Sequence, residues 1–81
     1  MNNKKYATFV IQNNSDFFEV LWSDRTWERF ILKYEWERSD HVKCHYEVKE
    51  GFDPSKARRC KMTREEFLKY YRENVKIVTE D

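Results

Sequence analysis

One glycine and one proline, Gly51 and Pro54, are all that this 81-residue chain contains of either residue. A loop that cradles phosphate needs several glycines, because only they let the backbone close on the anion, so that mode of nucleotide binding is excluded. Cysteine is scarce as well: Cys44 and Cys60 could make one bridge, where a small secreted scaffold normally carries several. With no apolar signal segment at its start, the chain is expected to be cytoplasmic, with reduced thiols. No apolar run is longer than that of Phe30, Ile31 and Leu32, far short of the roughly 20 residues that cross a bilayer. An excess of one charge is also missing, since sixteen Lys and Arg meet fifteen Asp and Glu for a net charge of +1. Neither a DNA mimic nor a basic nucleic-acid coat protein has that balance.

Aromatic residues and charges of both signs are abundant: 17% of the chain is aromatic and 38% is charged. A chain this short buries only about 60% of the surface it exposes when unfolded, so it has room for one core and one domain, residues 1–81. Three Trp, six Phe and five Tyr can build that core from a few large groups, without a metal or disulfide.

Residues 6–12 and 16–22 are rich in β-formers and read as two strands, joined by Asn13, Asn14 and Ser15 as a hairpin turn. Residues 25–37 fit two periods. Trp27, Phe30, Ile31 and Tyr34 make a helical face, whereas Phe30, Leu32, Tyr34 and Trp36 alternate with charges as in a strand. Ser23 or Asp24 could cap a helix there, and Leu32-Lys33-Tyr34 recurs as Leu68-Lys69-Tyr70, a hint of two hairpin-plus-helix units. Residues 41–49 alternate cleanly and predict an antiparallel strand with one wet face. A loop over 50–55 follows, then a further strand over 58–62. Thr63-x-x-Glu66 is a capping box and opens a helix over 64–74 with Phe67, Leu68 and Tyr71 inward. Residues 75–78 can close the sheet, and Glu80 and Asp81 are expected to fray. The expected class is α+β: a small antiparallel sheet with a C-terminal helix on one face and a possible second helix at 25–37.

His41, Cys44, His45 and Cys60 are the ligand types of tetrahedral zinc. On a strand, however, His41 and His45 face away from Cys44, so no metal site is expected. Cys60 lies between Arg59 and Lys61, a setting that favours a thiolate, but no base and orienting partner complete a nucleophilic triad. Neither a catalytic residue nor a cofactor is assigned, and the chain reads as a non-enzyme.

Two binding chemistries remain. Fourteen aromatics exceed what one small core needs, and residues 22–38 hold three Trp, one Tyr and three Arg, the types that dominate protein interfaces. Trp27, Arg29, Tyr34 and Trp36 are therefore the expected anchors for a protein partner. Alternatively, Lys56, Arg58, Arg59, Lys61 and Arg64 place five positive charges in nine residues and could neutralise RNA or single-stranded phosphates, with exposed aromatics stacking on bases. A homodimer is also open to a small sheet with an uncovered edge. No family motif covers any part of the chain, so no functional residue is carried over. In size, scarcity of glycine and density of aromatics and charges it resembles the small accessory proteins by which bacteriophages disable a host factor or defence system. That resemblance implies an inhibitor acting by occlusion in the host cytoplasm.

Overall fold

Strand alternation and local turn chemistry organise residues 4–80, the part of the chain that a computed structural model describes. In chain order these are β1 (Ala7–Ile11), β2 (Phe17–Trp22), β3 (Trp27–Ile31), β4 (Glu35–Glu37), β5 (Lys43–Val48), α1 (Lys56–Arg59), α2 (Arg64–Asn74) and β6 (Val75–Glu80). The class is α+β, as expected, but the strands form two antiparallel sheets of three, β1-β2-β3 and β4-β5-β6.

In the first sheet, Asn14 closes the β1–β2 hairpin by accepting through Oδ1 from the amides of Asp16 and Phe17. Asp24 does the same for the next turn, accepting from the amide and hydroxyl of Thr26, while Arg25 takes a positive φ of 69°. Period-2 alternation then sends Phe18, Val20 and Trp22 to one face, where all three are buried. Phe30 of β3 and Ala7 of β1 join them.

Helix α2 covers that face. Its capping box is formed: Thr63 Oγ1 accepts from the Glu66 amide at 3.2 Å and Glu66 Oε1 accepts from the Thr63 amide at 2.9 Å. Phe67, one turn further, is wholly buried and meets the edges of Phe18 and Phe30 at centroid distances of 5.8 and 5.2 Å. Burying each such ring contributes about 1.5–3 kcal/mol. No helix among the described residues is long and apolar enough to cross a membrane.

The choice left open at residues 25–37 falls to strand, and three expectations are corrected. Residues 25–37 hold no helix: they supply β3 to the first sheet and β4 to the second. The amides of Leu32 and Lys33 both donate to the Asp16 carbonyl where the chain leaves the first sheet, so Leu32-Lys33-Tyr34 is a connection and shares no structure with helical Leu68-Lys69-Tyr70. Residues 58–62 form no strand, because α1 turns through Lys56–Arg59 to bury Ala57 in the core. Glu80 does not fray but ends β6 opposite Lys43, while Asp81 lies outside the described residues.

The second sheet is built differently. The core cluster is drawn from the first sheet, the helices and their flanking loops, whereas among β4, β5 and β6 only Cys44 and Val75 are buried. Cross-strand register places Trp36, Cys44, Tyr46, Ile77 and Thr79 on one face and Glu35, Lys43, His45, Lys76 and Glu80 on the other.

Candidate functional site

The outer face of the first sheet, turned away from α2, carries the side chains that β1–β3 do not spend on the core. Register sets them in rows: Phe9, Leu21 and Trp27 across the three strands, then Ile11, Glu19 and Arg29, then Phe17 and Ile31. Six large apolar groups thus flank a single Glu19–Arg29 pair, whose arginine lies on the edge strand β3. Phe9 and Trp27 keep 43% and 49% of their surface exposed, so no element among the described residues covers these two rings.

Arg29 lies over the Phe17 ring on this face. Its guanidinium carbon lies 4.0 Å from the centroid of the Phe17 ring and its Nη2 3.8 Å from Glu19 Oε2. Stacking on a ring leaves the planar edge of an arginine free to donate outward. At the β1 side of the sheet the Arg58 guanidinium stands 5.7 Å from the Phe9 centroid and adds a second cation to the rim.

Tyr34 and Trp36 are elsewhere. They stack on each other, centroids 5.6 Å apart and planes within 19°, on the aromatic face of the second sheet, with Tyr46 beside Trp36 at 5.5 Å. The four expected protein-binding anchors are therefore divided between two sheets. Phe9, Leu21 and Tyr46 were not singled out from the sequence, although the outward position of Leu21 was readable from the alternation of residues 16–22.

The basic segment is also divided. Arg64 makes two bonds to Glu28, Nε to Oε1 at 2.7 Å and Nη2 to Oε2 at 2.8 Å, and Trp22 Nε1 donates to the same carboxylate at 3.1 Å. Arg64 beside it holds the Glu28 carboxyl below the usual carboxylate range, and Glu28 in turn raises the Arg64 guanidinium. Arg59 is bound to Asp53 at 2.7 Å. Lys56 lies 4.8 Å from the Tyr70 centroid, and with Arg58 and Lys61 it makes three cations without a carboxylate in ion-pair range among the described residues. Two of the five expected phosphate-binding charges thus serve the fold.

Known proteins provide no further guide. Scans against protein-family models, curated proteins and solved structures each returned no match to this chain. The zinc ligand types are dispersed: Cys44 is buried on the aromatic face of the second sheet, His45 is on the opposite face near Glu47 and Glu80, His41 lies in the preceding turn, and Cys60 is exposed after α1. Among the described residues no three His, Cys, Asp or Glu side chains converge to hold a metal ion.

Proposed function

We propose that this chain is a non-enzymatic protein-binding module that docks through the outer face of its first sheet and acts on its partner by occlusion. The row of Phe9, Leu21 and Trp27, with Phe9 and Trp27 exposed on either side of half-buried Leu21 and with the cations Arg29 and Arg58 beside it, is the observation that carries this reading. Large flat apolar groups that are exposed side by side gain most by being covered, and Trp and Arg concentrate binding energy at interface centres. The partner's complementary surface is apolar and bordered by carboxylates, which pair with the two guanidinium groups on the rim. Tyr34 and Trp36, on the second sheet, are not part of this contact.

The test is capture of partners from extract by the wild-type chain and by W27A and R29A, with circular dichroism to confirm folding. A partner retained by the wild type and lost by at least tenfold in W27A, in a variant that melts normally, is the expected result. Retention that ignores both substitutions removes the reading. Salt-sensitive binding to single-stranded RNA that disappears in R58E would instead favour the basic segment.

A further inference from the structure

The free edge of β6 carries a second, independent surface. The Lys49 amide donates to the Asn74 carbonyl at 2.7 Å, and Glu47–Lys76, His45–Val78 and Lys43–Glu80 follow as facing pairs in the same phase. Hydrogen-bonding direction alternates along an antiparallel strand, so the N–H and C=O groups of Ile77 and Thr79 point away from β5. Among the described residues nothing bonds to them. The β5–β6 register is unbroken and β6 contains no proline, so neither a bulge nor a proline blunts this edge, and its charges, Lys76 and Glu80, are of opposite sign.

We propose that two copies of the chain pair antiparallel through β6, about a two-fold axis at Val78, and so join two three-stranded sheets into one. In this register Ile77 faces Thr79 of the second copy, and each such pair exchanges both backbone hydrogen bonds. Lys76 faces Glu80 of the second copy, and symmetry repeats that pair. Charge then alternates across the joined sheet: Glu37, Lys43 and Glu80 of one copy are followed by Lys76 and Glu47 of the other. On the reverse face, Ile77, 57% exposed in one chain, gains a strand beside it. Neighbouring registers lack this match. An axis at Ile77 sets Lys76 against Val78 and Glu80 against Asn74, and an axis at Thr79 sets Val78 against Glu80.

Sedimentation velocity over a concentration series is the test. The wild type is expected to show a reversible dimer, and K76E and E80K should each weaken it by about tenfold, because two opposite-sign cross-strand pairs become like-sign. Mixing K76E with E80K makes both contacts opposite in sign again and should restore dimers that contain one of each. The double variant K76E/E80K should likewise recover its own dimer. Within one chain that double change sets like charges opposite Glu47 and Lys43, so the recovery cannot come from a better-folded monomer. W27A, on the other sheet, should leave the dimer intact, which keeps this test separate from that of the docking face. A chain monomeric at every concentration, or a dimer unmoved by both single substitutions, overturns the proposal.

Discussion

Glu28 and Tyr71 tie the first sheet to α2 through ionisable groups whose pH responses have opposite sign. The Glu28 carboxyl is held below its ordinary value by the Arg64 bonds, with Trp22 adding to them. In the unfolded chain that carboxyl takes up a proton near its ordinary value of 4.5, where the folded chain still refuses it. The pair's contribution is therefore complete above that pH and is lost as pH falls through the folded value. Urea denaturation over an acid series should show this limb in the wild type and a flatter one in E28Q, at a cost of about 1 kcal/mol at neutral pH. Tyr71 behaves in reverse. Burial raises its phenol from 10.0 to about 12, and its hydroxyl donates to the Ile31 carbonyl. Its contribution is intact below the ordinary value and is lost as pH rises toward the folded one, because only the unfolded phenol ionises in between. Y71F should abolish that alkaline limb while costing about 1 kcal/mol at neutral pH for the lost hydrogen bond.

Elements whose signals are local were the legible ones. Thr63 and Glu66 stand three residues apart and satisfy each other's amides, so the start of α2 could be read from the sequence. T63A should cost about 1 kcal/mol and fray the first turn, seen as lost amide protection at Glu66. Residues 25–37 were ambiguous for a physical reason. Their apolar groups satisfy both periods, and the choice is made by β2 on one side and β5 on the other, partners that no window of this segment contains. The candidate site divides along the same line. Trp27 and Arg29 stand out by residue type, whereas Phe9 joins their face because β1 changes register between Ala7 and Phe9, an irregularity with no residue signature. Arg64 looked like part of a basic run because the Glu28 that binds it lies 36 residues away.

At the scale of the molecule, apolar burial is uneven, and that sets the order in which the protein comes apart. Phe67 packs against Phe18, Trp22 and Phe30 at the centre of the first sheet's core. F67A should cost about 3–5 kcal/mol, a large share of the 5–15 kcal/mol that holds a typical small protein together. The second sheet has no comparable centre, since Cys44 and Val75 are its only buried residues among those described. Its ladder is held by backbone bonds, the Tyr34–Trp36–Tyr46 stack and cross-strand charges, most of them open to water. Regions with few buried contacts open by themselves at a lower free energy than the whole chain unfolds. In native-state hydrogen exchange the amides of Phe18 and Val20 in β2 should therefore be the last to exchange, at the global unfolding free energy. The β5 amides of His45 and Tyr46 should exchange earlier, through an opening that urea accelerates only weakly because it exposes little surface. Protein concentration separates this opening from dimerisation: a β6–β6 contact slows the outward-facing Ile77 and Thr79 amides as concentration rises, while Phe18 and Val20 stay governed by the core. If His45 were as protected as Val20 at low concentration, the two sheets would unfold as one unit, and the core around Phe67 would have to extend its hold across the connection at Leu32.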